Sequence, residues 1–346
     1  MNVTYLVGNG FDLALKMHTS AKEIVASYVS MHLPGDNKEE LLAGEKLALE
    51  IEDKGIETWS DFETKLGEYS LKFRDSKYGT KQDYLDAYEE FSKHLHAELV
   101  KEYDRFSSNN VIEKNPNCIL SIVCIATSLR EGESEIIHEL LVKHRLEHCV
   151  YNIATFNYTR TIDDFFNGAS DTLGKMEGSG YSHILGKLFH AHGDLEDVII
   201  CGVDSPEQIL NDEFQQDEAI IQALVKHNAQ RYLASNSDTR VFEAIRQSKV
   251  ICIYGMSLGK SDKRWWKAII DHLNNDKEAV LVIFSYERTK QIEHTTSEYQ
   301  RNKEYELSLF ADAAGELGSD LFNSIRDRVF FAASSSVFSL EHTLDE

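Results

Sequence analysis

Positive charge is scarce in this sequence. Lysine and arginine number 36 against 58 aspartates and glutamates, for a net charge of -22. So acidic a surface repels phosphate backbones, which disfavours broad binding of nucleic acid or of an anionic membrane and leaves only a local basic pocket open. Paired cysteines are missing too. Cys118, Cys124, Cys149, Cys201 and Cys252 contain no C-x-x-C pair, so neither a zinc site nor a disulfide framework is indicated. Most of them lie in apolar runs, as reduced, buried thiols do. No apolar run approaches the roughly 18 residues of a membrane span. Met1-Asn2 leads directly into a strand pattern with no basic leader, so no signal peptide is read. Internal repeats and low-complexity tracts are lacking as well. Together these absences predict a cytoplasmic protein that needs neither metal nor membrane.

Apolar residues make up 42% of the chain, ample for a packed core. The length accommodates one large α/β domain with an insertion, or two domains. Val3-Thr4-Tyr5-Leu6-Val7 suits a buried strand and runs into Gly8-Asn9-Gly10-Phe11-Asp12. A strand that turns on glycines into a helix presents backbone N–H groups at the helix N-terminus, where α/β folds hold phosphates. The match to G-x-G-x-x-G is incomplete, because Leu13 stands at the third glycine. Asp12 either caps the following helix or touches a ribose.

Ser20 and Glu23 fit a capping box ahead of an apolar helix. From about 38 to 147 the spacing predicts mostly helix, with Phe62, Leu66, Tyr69 and Phe73 on one face and Tyr84, Leu85, Tyr88, Phe91, Leu95 and Leu99 continuing the rhythm. Within that block Trp59-Ser60-Asp61-Phe62-Glu63 reads either as a site or as a Ser60/Glu63 capping box. Cys118 to Thr127 stays ambiguous between strand and helix.

Further strands are predicted at Cys149–Phe156, Lys187–Ala191, Val198–Gly202, Val250–Tyr254, Ala279–Phe284 and Arg328–Ala332, with helix between 206 and 247. Gly168 to Ser182 is rich in glycine and serine and reads as a loop near the site. Continuous apolar strands alternating with helices indicate a parallel sheet covered on both faces, with ligands beyond the carboxyl ends. Four strands end in Gly8-Asn9-Gly10, Asn157, His192-Gly193 and Gly255-Met256-Ser257, which converge on one pocket if the strands lie side by side. His190 shares a strand face with His192 and reads as structural rather than as a metal ligand. Asp262 reads as a helix cap, and Trp265 and Trp266 as packing residues.

These pieces, with Gly202-Val203-Asp204 and Gly255-Met256-Ser257-Leu258-Gly259-Lys260-Ser261-Asp262, resemble the AbiH family of bacterial phage abortive-infection proteins. Their order is also similar, more remotely, to the sirtuin NAD-binding fold. That resemblance implies an α/β, Rossmann-like parallel sheet spanning 1–29 and 148–346, with a large helical insertion at 30–147. It implies NAD, or a related nucleotide, as ligand or substrate. Gly8, Asn9, Gly10, Phe11, Asp12, Thr155, Tyr158, Gly193, Gly255, Ser257 and Asp262 would surround it, with Asn157 orienting the ribose or water and His192 as general base. The function so implied is an antiphage effector that hydrolyses the nicotinamide–ribose bond, acting with a phage-derived trigger or a partner defence protein. Homo-oligomerisation stays open. Two departures count: the acid that sirtuins carry two residues after the asparagine is Thr159 here, and the sirtuin zinc module is absent. A nucleotide sensor without turnover and a nuclease-type toxin are the rival readings, the latter disfavoured by the charge.

Overall fold

The structure is a computed structural model. It describes all residues except 34–40, 53–54, 108–120, 168–171, 176–179, 287–292, 334–336 and 339–346. Cys118 and much of the Gly/Ser-rich stretch therefore lie outside the described residues. Among the described residues the chain runs β1 (Asn2–Val7), α1 (Gly10–Ala14), α2 (Ala21–His32), α3 (Ala43–Ile51), α4 (Trp59–Tyr69), α5 (Lys81–Ser107), α6 (Glu131–Lys143), β2 (Cys149–Thr155), α7 (Thr161–Phe166), β3 (Thr172–Lys175), β4 (Ser182–His190), α8 (Glu218–Leu224), α9 (Lys226–Tyr232), α10 (Ser237–Gln247), β5 (Val250–Tyr254), α11 (Lys263–Asn275), β6 (Val280–Ser285), α12 (Thr296–Ala314), α13 (Asp320–Asn323) and β7 (Val329–Ala333).

The seven strands form one α/β sheet in the order β3-β4-β2-β1-β5-β6-β7. Six are parallel, and only the edge strand β3 is antiparallel to its neighbour. The central strands β1 and β5 are buried at nearly every position because both faces are covered. Val3, Tyr5 and Val7 of β1 point into one layer with Phe165 of α7 and Ile137 of α6. Leu6, Ile251 and Ile253 point into the other, with Ile245 of α10, Trp265 and Trp266 of α11 and Phe310 of α12. Both tryptophans are buried packing residues, as their spacing suggests.

A third core joins Ile24, Phe62, Phe91 and Leu95 of the helical block to Tyr158, Cys201 and Val225. The helical layer is thus not built from 30–147 alone. The boundary at 29/30 falls inside α2, and Ile137 and Leu140 of α6 belong to the sheet's core. The Ser20/Glu23 capping box of α2 forms as read.

Two predicted elements differ. Val198–Gly202 is not a sheet strand. β2 and β3 already flank β4, and the segment instead folds over the strand ends, where the Ile200 N–H donates to the His192 carbonyl at 2.9 Å. Of the Gly/Ser-rich stretch, Thr172–Lys175 forms β3 and pairs with Ser182–Ile184 at the amino end of β4, away from the strand ends that carry the site. Ile125–Ser128, in the ambiguous segment, forms a single 3-10 turn.

Candidate functional site

The strand order reverses between β1 and β5. From β1 the chain builds outward through β2 and β4, then returns to the other side of β1 for β5, β6 and β7. Crossovers diverge at such a point, leaving a crevice beyond the carboxyl ends of the strands. The ends of β1, β2, β4 and β5 are neighbours there, so the four stretches singled out from sequence do meet.

Asn157 and His192 lie level with each other. Thr155 pairs with His190 in the β2–β4 register, and both residues of interest follow two positions later. Adjacent strands are about 4.8 Å apart. The turn after β2 is shaped by the Asn157 N–H, which donates to Thr155 Oγ1 at 3.1 Å. His190 Nδ1 meets the Asn157 carbonyl at 3.1 Å and its Nε2 meets Asp163 at 2.9 Å. Burial works against charge on His190, but Asp163 outweighs it and raises its pKa. His190 is therefore a structural residue that clamps the Asn157 backbone.

The working ends of both residues are unpartnered. Asn157 is 3% exposed, and neither its amide oxygen nor its amide nitrogen has a hydrogen-bond partner. His192 is 4% exposed with an unpartnered Nε2, 3.9 Å from Asp262 Oδ1. Burial and the positive charges of Lys226 and Arg264 push the His192 pKa well below the usual histidine value, so the ring is neutral at pH 7. A buried polar atom without a partner costs about 1–3 kcal/mol. Several at one spot are what a ligand would satisfy.

Asp12 does not cap α1. Its buried carboxylate accepts hydroxyl protons from Thr159 at 2.6 Å and Thr161 at 2.5 Å. Burial raises its pKa to about 6, and the two hydroxyls only partly oppose this. Asp262 sits at the N-cap position of α11 without capping it; its Oδ1 takes a hydrogen bond from Lys226 Nζ at 3.0 Å. The same ammonium reaches Glu63 Oε2 at 2.9 Å and the Ser261 carbonyl at 3.2 Å, all within the interior. The Ser60/Glu63 capping box does not form: Thr58 and Asp61 cap α4, placing Glu63 one turn inside, where it also accepts the Gly202 N–H at 3.3 Å. Arg264 stacks on Trp265 at 4.3 Å and binds Asp204 and Asp238.

The glycine turn works differently from the expected cradle. The Gly8 N–H donates to the Tyr254 carbonyl at 2.9 Å and the Gly10 N–H to the Gly255 carbonyl at 2.7 Å, so neither is free for a phosphate. A side chain on Gly10 would overlap Gly255 Cα, and Gly255 itself has φ +64°. These glycines let the ends of β1 and β5 close on each other. Asn9 is held by Thr19 through its amide nitrogen and oxygen, both at 2.9 Å. Phe11 packs edge-on against Phe165 in the core, and the Tyr158 hydroxyl donates to the Ile200 carbonyl at 3.1 Å. Gly193, Gly255 and the exposed Ser257 form the rim.

Asn157, His192 and Asp12 are thus buried polar residues beyond these strand ends, and Asp262 is half-buried beside His192. Lys226, Thr161, Asp163 and Arg264 carry no sequence signal, because each gains its role from partners distant along the chain. A cleft of about 280 Å³ lined by Ser128, Arg130, Glu293 and Ala333 lies at β7, three strands from β1. No helix among the described residues is long and apolar enough to cross a membrane. No curated protein matches the chain. A family model described as bacteriophage abortive infection AbiH matches residues 4–285, which takes in every one of these site residues, and the chain belongs to that family.

Proposed function

We propose that this AbiH protein acts in phage abortive infection by binding NAD, or a related nucleotide, beyond the ends of β1, β2, β4 and β5, and by hydrolysing its nicotinamide–ribose bond. The observation that carries this reading is the pair of buried, unpartnered groups on Asn157 and His192, level with each other where the strand order reverses. The six parallel strands follow the order 3-2-1-4-5-6 of Rossmann dinucleotide folds, in which ligands sit at this reversal. Where the sirtuin resemblance expects an acid, Thr159 instead holds the Asp12 carboxylate through its hydroxyl, so an acid is supplied from α1.

Loss of nicotinamide develops an oxocarbenium-like ribose. The bond from C1 to the nicotinamide nitrogen breaks with its electron pair going to that nitrogen. A water oxygen bonds to C1, and its proton passes to the neutral His192 and on to solvent. Asn157 orients the ribose hydroxyls or the water without adding charge.

A second reading, nucleotide sensing without turnover, is favoured by one observation: both residues are enclosed, and the Gly8 and Gly10 amides are already bonded. Nicotinamide release from NAD by the purified protein separates the two. Hydrolysis predicts release by the wild type and none by Asn157→Ala or His192→Ala, each retaining its circular dichroism spectrum. Binding without release supports the sensor, and no binding at millimolar NAD removes both readings.

A further inference from the structure

The Asn157 backbone is held on both sides, while its side-chain amide is not. The Asn157 N–H donates to Thr155 Oγ1 at 3.1 Å, and its carbonyl meets His190 Nδ1 at 3.1 Å. Burial opposes charge on His190 but Asp163 outweighs it, so the protonated ring donates to the Asn157 carbonyl and to Asp163 at once. The amide at the tip of the side chain is enclosed, and neither of its polar atoms has a hydrogen-bond partner. The two ends of an amide are nearly the same size, so packing does not decide which one faces the crevice. Hydrogen bonding does.

The neighbour that can decide is Asp12. Burial raises its pKa to about 6, against the lowering effects of the Thr159 and Thr161 hydroxyls, the Asn157 amide and the charge of His190 on β4. His190 in turn faces Asp163 of α7 and Asp194. The Asn157 amide thus lies close enough to favour the carboxylate, although short of hydrogen-bond geometry. Thr159 Oγ1 donates to Asp12 Oδ2 at 2.6 Å and Thr161 Oγ1 to Oδ1 at 2.5 Å. The segment that carries Asn157 therefore also grips Asp12, two residues further on. That grip fixes the buried carboxylate and leaves each of its oxygens a second lone pair. An ionised carboxylate only accepts hydrogen bonds. It attracts the amide NH2 and repels the amide oxygen.

We infer that Asp12 is a positioning residue: when ionised it turns the Asn157 NH2 toward itself and leaves the amide oxygen facing the crevice as an acceptor. When protonated it can donate to that oxygen, and the amide turns over to present its NH2 instead. Asn157 is then matched to a hydroxyl or a water only while Asp12 is ionised. That consequence for hydrolysis rests on the function proposed above; the orientation of the amide does not.

Side-chain amide NMR on the full-length protein tests it without a ligand. The Asn157 NH2 signal is identified by its loss in Asn157→Ala and followed from pH 4 to pH 8. One of its protons is expected to move downfield as pH rises, as a hydrogen bond to a carboxylate requires, with a midpoint at about 6. Asp12→Asn should keep the signal and abolish the titration. Thr159→Val removes a hydroxyl that favours the carboxylate and should move the midpoint up; it decides the matter if Asp12→Asn fails to fold by circular dichroism. A signal that does not titrate overturns the positioning role. So does a titration that persists in Asp12→Asn, which would belong to His190, or a midpoint that Thr159→Val leaves in place. None of these results depends on binding or cleavage of NAD, so the nucleotide reading stands or falls on its own assay.

Discussion

Asp12 shows most clearly what a single residue contributes. Its ordinary pKa of 3.8 is raised to about 6 in the folded chain. Between those values the unfolded chain has released the proton and the folded one still holds it, so stability falls as pH rises through this window. Above about 6 the loss is complete, roughly 3 kcal/mol at 1.36 kcal/mol per unit. Asn cannot ionise and escapes the penalty. Asp12→Asn should therefore melt higher, relative to wild type, at pH 8 than at pH 4, by a few degrees; an offset independent of pH would show that Asp12 carries no such burden. Asn157 and His192 were legible because they end apolar strands in polar side chains. Glu63 was not, because Ser60-x-x-Glu63 has capping-box spacing, and only the cap at Thr58 reveals that the helix starts two residues earlier. Lys226 reads as one more solvated lysine in a helical pattern; its partner Glu63 is 163 residues away.

At the scale of elements, the Lys226 ammonium ties α4, α9 and the turn before α11 together. Lys226→Met would leave two buried carboxylates facing each other and is expected to cost about 3–5 kcal/mol, read as a fall in the urea midpoint. Adding Glu63→Gln and Asp262→Asn should recover part of that loss; no recovery would mean that packing, not charge, sets the cost. The close approach of β1 and β5 makes a second element-scale prediction. Gly10→Ala sets a methyl into the Gly255 backbone and should destabilise strongly, whereas Gly132→Ala on α6 meets nothing within 4 Å and should be neutral or slightly stabilising in the same assay. The parallel strands were readable as apolar runs. Val198–Gly202 has the same composition, but a strand needs a free sheet edge, and the pairing of β4 on both sides is not written locally. The glycine turn was placed correctly while its bonding was not, since its acceptors come from β5, more than two hundred residues on.

At the scale of the molecule, the sheet order places four chain segments at one reversal point, and a helical layer covers it. That layer was legible as a long periodic block. Its extent was not, because its core also draws on Tyr158, Cys201 and Val225, which follow β2 in the chain. The outcome is a closed, polar interior that holds Asn157 and His192, with the more exposed Gly193, Gly255 and Ser257 following β4 and β5. The most direct test of this account is amide hydrogen exchange, followed by mass spectrometry, with and without saturating NAD⁺. Protection is predicted in the segments 156–159, 190–193 and 255–262, and it should be lost in Asn157→Ala. Protection confined to the cleft at Ser128–Arg130 and Ala333, or none at a concentration where calorimetry detects binding, would contradict it.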